Sequence, residues 1–386
     1  MKKAIAAAVV IAAAVVMCAS GIYDDYSEVA NLELIRILAI DKQGDNIVLT
    51  ASSGVGLESQ QAVIAGTTDK SIATAINSLK RSAAEREPFF SHVEHFIIGQ
   101  SLAESEEGIG EILDYIDRTL EMRLDTSIYI VRDLSAREFI LAASEKNGAA
   151  SDMLTFMKET VDKTTSGYVY TCGEITAALA DNGTALVQAV KVNTEEELGE
   201  NAGGKIEAAG FGVIKDGRLV GFLSEEETKG ACTMGGVADF EVVDIGLYSG
   251  EYVSLGVKKT ETKVEPVFRE DGSLEKVKIL VKANANIEQT SGEVDVTNDE
   301  VRRELEQKLN QAEISRIMAA LARSIELDTD FMQIGKKIEL KHPVKFSKIK
   351  DQWEDVFRSV EFEVSARAEI DRTYDISNMP NMNGET

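Results

Sequence analysis

The chain has 386 residues, of which 44% are hydrophobic and 28% charged, enough apolar material for roughly two or three domains and too much for a disordered chain. Its formal net charge of −25 argues against nucleic-acid binding and against adsorption on anionic lipid through a basic patch, and otherwise favours solubility.

At the N-terminus Lys2 and Lys3 precede an apolar run from Ala4 to Ala19, with the flanks of a signal-peptide core and a length short of a spanning helix. The positive residues stay inside, so the chain beyond about Ser20 faces the outer side of the membrane. Cys18 ends the run and is the candidate lipid-attachment site, although Val15-Val16-Met17 ahead of it lacks the small residue expected beside such a cut. Cleavage after Gly21 and an uncleaved anchor helix are the rivals.

Next come two strands, Leu34 to Ile40 and Ile47 to Ala51, flanking a polar turn and reading as a hairpin. Ile72, Ile76, Leu79 and Ala83 recur at helical spacing, and the helix stops before Pro88. A strand over Val93 to Ile98 comes after it, then a helix marked by Ile109, Ile112, Leu113, Ile116 and Leu120, and a strand from Ser127 to Val131. Helices near Ala136 to Ala143, Ser151 to Asp162 and Glu174 to Ala180 complete a mixed α/β half. The polar stretch Asn193 to Lys205 is the boundary candidate.

Beyond it, Gly210 to Gly230 reads as a hairpin with an Asp216-Gly217 turn, then Ser224 as a helix N-cap with Glu227 three residues later, a capping box. Two long stretches alternate apolar and polar residues, from Val277 to Ile287 and from Val360 to Ile370. Between them Thr297-Asn298-Asp299-Glu300 opens a helix carrying Val301, Leu305, Leu309, Ala312, Ile317, Leu321 and Ile325 on one side. The expectation is an α+β, multi-domain chain with mixed and antiparallel sheets each packed with helices. Its parts are an anchor or signal segment 1–21, an N-terminal domain 22–192, a linker 193–205, a C-terminal region 206–377 and a disordered tail 378–386. The C-terminal region divides further into a small 206–250 unit and a 251–377 sheet-and-helix domain.

Groups for chemistry are few. The chain holds three histidines. His92 and His95 would point to opposite faces of a strand, so they are no metal pair. The runs Glu195-Glu196-Glu197 and Glu225-Glu226-Glu227 read as solvated faces, and the glycine pairs Gly203-Gly204 and Gly235-Gly236 lack a phosphate-loop context. Cys172 and Cys232 could pair in an oxidising compartment but read first as buried free thiols, and Trp353 with Phe357 reads as core, with a partner-facing anchor the alternative. No catalytic residue, cofactor or metal site is expected.

Read together, the Gly210 to Gly230 segment resembles the corresponding stretch of the Ger(x)C family, lipoprotein subunits of bacterial spore-germination receptors. Asp25 and Glu28 followed by the strand ending Ile40-Asp41 are similar to that family's opening, as are His92 to Gly99, Leu113 to Arg118 with Arg123-Leu124-Asp125, Asp330 to Gly335, and Trp353. One departure is Tyr23, which stands where the family usually has its lipidated cysteine. The resemblance implies a non-catalytic, membrane-anchored subunit of a germinant receptor on the outer face of the spore inner membrane. Its partners would be the membrane-embedded A-type and B-type subunits. The alternative is a substrate-binding lipoprotein of a transporter, with a secreted hydrolase third.

Overall fold

The computed structural model describes residues 31–54, 64–83, 86–147, 149–193, 205–258, 260–292 and 294–371. Cys18, the 1–21 segment, the Asp25 and Glu28 motif, the acidic run 195–197 and the 378–386 tail lie outside the described residues.

The first sheet is built from β1 (Leu32–Gln43), β2 (Asn46–Ser53), β3 (Ile64–Asp69), β4 (Glu87–Phe89), β5 (His95–Gly99), β6 (Ser127–Val131), β7 (Thr184–Val192), β8 (Ile206–Lys215) and β9 (Arg218–Phe222). Its order is β3-β2-β1-β5-β6-β7-β8-β9, with β4 beside the start of β1. The four central strands β1, β5, β6 and β7 run parallel, and antiparallel hairpins extend both sides.

Alternation along the central strands separates two cores. Leu38, Ile40, Phe96, Ile98, Ile128 and Ile130 face α1 (Ile72–Ser82), α2 (Gln100–Ala103), α3 (Gly110–Arg118) and α6 (Cys172–Asn182). Ile37, Ala39, Ile97, Tyr129 and Val131 face α4 (Ala136–Asn147) and α5 (Ala150–Thr160). Both faces are covered, so these strands read as continuous apolar runs. That explains why β7 escaped the sequence reading. Thr184 to Val190 is buried throughout, leaving no period to separate it from the preceding helix.

The second sheet contains β10 (Glu241–Gly246), β11 (Tyr252–Val257), β12 (Glu261–Phe268), β13 (Leu274–Thr290) and β14 (Glu361–Ile370). β13 is long enough to pair with β12 along its first half and β11 along its second, while β14 runs parallel along its other edge. The two stretches recognised by alternation are therefore parallel neighbours, joined by a helical crossover as parallel strands require. That crossover is α8 (Asp299–Glu326), α9 (Ile334–Lys341), α10 (Pro343–Phe346) and α11 (Trp353–Ser359).

Several boundaries differ from the sequence expectation for local reasons. β1 and β2 run further than expected because a two-residue loop, Gly44-Asp45, joins Gln43 to Asn46, with Gly44 at φ +61°. Helix α3 starts after Ile109 and ends at Arg118, leaving Leu120 exposed. The cap of α8 is Asn298, whose side chain accepts from Glu300 N at 2.8 Å; Thr297 instead donates its hydroxyl to Asp295, at 2.5 Å. The strands on either side of the 193–205 stretch pair with each other, and Asn193 N donates to Lys205 O at 3.0 Å, so the first sheet continues across that stretch.

The seam between the two sheets is itself a core. Leu186, Phe211, Val213 and Leu223 from the first sheet and its exit pack with Val277, Ile279 and Val281 of β13, Ile317, Ala320 and Leu321 of α8, and Ile334 and Ile338 of α9.

One contact in the first sheet shows why a small residue is required. Asp41, at the end of β1, turns its carboxylate onto the first amides of α4, accepting Ala136 N at 2.7 Å and Arg137 N at 2.9 Å. On the neighbouring strand a Cβ at Gly99 would lie 2.0 Å from Asp41 Oδ1. Gly99→Ala is expected to destabilise the protein by about 2–3 kcal/mol, through overpacking and loss of this cap, measured by urea unfolding.

Candidate functional site

The Gly210 to Gly230 segment folds as its sequence suggests and does more than turn the chain. Asp216 and Gly217 take φ of +49° and +81°, the geometry of a two-residue hairpin. Gly217 O accepts Ile109 N at 2.7 Å, so the turn tip docks at the start of α3. Helix α7 (Glu225–Gly235) comes next, capped by Ser224 and Glu227 in both directions. Gly230 then meets α8 at close range: a Cβ there would lie 2.3 Å from Arg316 O. The two helices cross backbone to backbone.

A charge cluster locks that crossing. Arg316 is 5% exposed. Its guanidinium grips Glu241 with two bonds of 2.8 and 3.0 Å, and it also reaches Glu313 at 3.0 Å and Glu226 at 3.3 Å. Lys229 binds Glu241 at 2.9 Å and Glu225 at 2.7 Å. Glu225 and Glu226, read as part of a solvated run, are thus ion-pair partners of Lys229 and Arg316, and Glu227 is the cap. Burial pushes the carboxyl of Glu313 up despite Arg316 beside it. The sequence reading passed over Glu313 and Arg316. The available signal was their spacing, since with Leu309, Ile317 and Ala320 they fall on the buried stripe of α8.

The other motif residues are also accounted for by local geometry. His92 is half exposed, 3.5 Å from Glu94. The buried histidine at the strand start is His95, 2% exposed. Its Nε2 lies 3.1 Å from Thr155 Oγ1, whose own proton goes to Ser151 O, so the ring donates from Nε2 and accepts at Nδ1 from the Tyr129 hydroxyl, 3.4 Å away. Burial holds the ring neutral, lowering its pKa to about 4.

Asp330 is a clamp. Oδ1 accepts Ile334 N at 2.8 Å, and Oδ2 accepts Gly335 N at 2.7 Å and Trp353 Nε1 at 3.0 Å. Its backbone carbonyl accepts Asn182 Nδ2 and Thr184 Oγ1, both at 3.3 Å, from the end of α6 and the start of β7. Burial pushes this carboxyl up to about 6, against the pull of its three donors. Trp353 and Phe357 lie in the seam core as expected. Cys172 and Cys232 are buried free thiols, each pushed up to about 12 by burial.

Two clefts open on the seam. The first, about 720 Å³, is lined by Gly210 and Thr228 and by charged side chains of both signs, among them Arg132, Lys191, Lys229 and Glu241. Arg132 lies 5.2 Å over the Phe222 ring, and Lys229 is held by the glutamates. The second, about 540 Å³, lies between α6 and α9. Tyr168 and Tyr170, which pack edge to face at 4.7 Å, line it together with Phe331, Met332 and Lys337. Among the described residues, no group of three or more His, Cys, Asp or Glu side chains is placed to hold a metal ion.

Comparison with known families resolves what this arrangement belongs to. Residues 25–192 match the model described as the spore germination protein N-terminal domain, and residues 209–374 match the model described as spore germination B3/GerAC like, C-terminal. The chain belongs to the Ger(x)C family. It is similar to spore germination protein B3 of Bacillus subtilis (strain 168), 24% identical over 361 residues, covering 88% of this chain and 90% of that protein. Its fold is similar to the crystal structure of the GerBC protein, with a TM-score of 0.55 at 19% identity, covering 86% of this chain and 96% of that one. This Ger(x)C chain is therefore a spore germination protein of an α+β, multi-domain fold. The two family models divide where the strands β7 and β8 pair, so the division in sequence falls inside one sheet.

His95 and Asp330 impose opposite pH dependences on stability. His95 has a lowered folded pKa, so its contribution is intact above about 6.5 and lost as pH falls toward 4. Asp330 has a raised folded pKa, so its contribution is intact below about 3.8 and lost as pH rises through about 6. His95→Gln is expected to cost less at pH 4 than at pH 7, and Asp330→Asn to cost more, each difference reaching about 3 kcal/mol. Urea unfolding of both variants and the parent at the two pH values checks the signs.

Proposed function

We propose that this Ger(x)C protein is a non-catalytic, membrane-anchored subunit of a spore germinant receptor, assembled with the A-type and B-type membrane-embedded subunits on the outer face of the spore inner membrane. The observation that carries the reading is the ordered match of both family models along the chain, with an export-type segment ahead of them. No helix among the described residues is long and apolar enough to cross a membrane, so attachment in this reading rests on the first 21 residues, with Cys18 as the lipidated residue.

The use of the buried polar groups favours a role without catalysis. Asp41 and Asp330 cap helices, His95 is hydrogen-bonded between Thr155 and Tyr129, and Arg316 holds a helix crossing. Each is engaged in holding the fold. A transporter's substrate-binding lipoprotein would need two similar lobes about a cleft, whereas the two sheets here differ in strand number and order. The role is then conformational, coupling the ligand-bound state of a partner to release of spore contents.

Affinity capture of the tagged full-length protein from detergent-solubilised spore membranes is expected to recover two multi-span membrane proteins, and the mass of the captured N-terminus to show a lipidated Cys18. Recovery with a permease and an ATPase would instead assign the protein to a transporter.

A further inference from the structure

The cleft between α6 and α9 contains one charged side chain that makes no ion pair among the described residues. Four charged side chains line it: Glu174, Asp181, Lys336 and Lys337. Asp181 and Lys336 pair at 2.7 Å. Glu174 is at the exposed rim, where its Oε2 accepts the N–H and hydroxyl of Thr171 at 2.8 and 2.9 Å in the capping box of α6. Lys337 is half-buried and has no ion pair or side-chain hydrogen bond among the described residues. The carboxylate that attracts it is Asp330, whose two oxygens already accept Ile334 N, Gly335 N and Trp353 Nε1. The surroundings of Lys337 disfavour its charge, and its pKa is lowered, first by desolvation.

Apart from Gln333 and two tyrosines, the rest of the cleft lining is apolar. Ile175, Leu186, Phe331 and Met332 supply its walls. The hydroxyls of Tyr168 and Tyr170 have no hydrogen-bond partner among the described residues. Phe331, Met332 and Leu186 belong at the same time to the seam core, so the walls are fixed by packing and need no hinge to form. A cavity of about 540 Å³ lined by apolar side chains, two tyrosines and one cation that makes no ion pair matches the general form of a small-molecule site.

We propose that this cleft binds a small monocarboxylate with an apolar body, its carboxylate taken by Lys337 and the tyrosine hydroxyls and its body resting on Phe331, Met332 and Leu186. A dianion would leave a second charge unmatched, and a cation would meet Lys337 with like charge. The inference does not depend on the receptor reading, since it concerns only groups within this chain.

Phenylacetate and its neutral isostere phenylacetamide test it on the full-length protein by saturation-transfer NMR. Phenylacetate is expected to bind at least about tenfold more tightly than phenylacetamide, as a charge-assisted contact requires. Lys337→Met is expected to abolish that difference while leaving phenylacetamide binding unchanged, and Lys337→Arg to preserve it. In the unmodified sequence, phenylacetate is expected to raise the pKa of the Lys337 ammonium, followed by NMR after reductive methylation with labelled formaldehyde; this readout does not depend on whether the variants fold. Equal binding of the two probes, no saturable binding of phenylacetate, or an unmoved Lys337 titration would each overturn the proposal.

Discussion

The close crossing of α7 and α8 at Gly230 is the constraint on which the relation of the two sheets depends. α7 leaves the first sheet directly after β9, and α8 is the crossover that places β14 beside β13 in the second. With a Cβ position only 2.3 Å from Arg316 O, no larger residue fits without separating the helices. Because Arg316 itself is drawn to Glu241 on β10, the same residue that receives Gly230 on its backbone ties the crossing to the second sheet through its side chain. A buried ion pair of this kind adds little net stability over an apolar contact, but it is costly to break on one side only. Its contribution is to the register of the crossing.

Asp330 supplies a second tie across the seam. Its carboxylate organises the start of α9 and holds Trp353, while its backbone carbonyl takes donors from the junction of α6 and β7. The cleft that contains Lys337 lies between these same elements, so its shape is set by the clamp and by the seam core together. The pH behaviour of the clamp and of His95 oppose each other between about pH 4 and 6, which keeps the parent protein's response to acid smaller than either group alone would give.

Much of this was legible in the sequence where a local rule decides the outcome. The Asp216-Gly217 turn, the Ser224 and Glu227 cap, the alternation of β13 and the amphipathic stripe of α1 and α8 arise from one-residue chemistry or a clear period. The family resemblance located Asp41, Gly99, Asp330 and Trp353 without saying what they do. Their roles depend on distant pairings, Asp41 with the amides of α4 and Asp330 with Asn182 and Thr184, which no local pattern encodes. β7 was missed because burial on both faces erases the period, and β5 begins at His95, two residues later than its apolar run suggests.

The position of β1 has a mechanical consequence. It is the first strand of the described residues, and it lies inside the first sheet, bonded to β2 on one edge and to β4 and β5 on the other. Tension applied at Leu32 along that strand loads the hydrogen bonds of both edges in shear and all at once. An edge strand in the same place would peel away one bond at a time. Under the membrane-anchored reading proposed above, a pull on the N-terminal tether would reach the centre of the sheet before its edges.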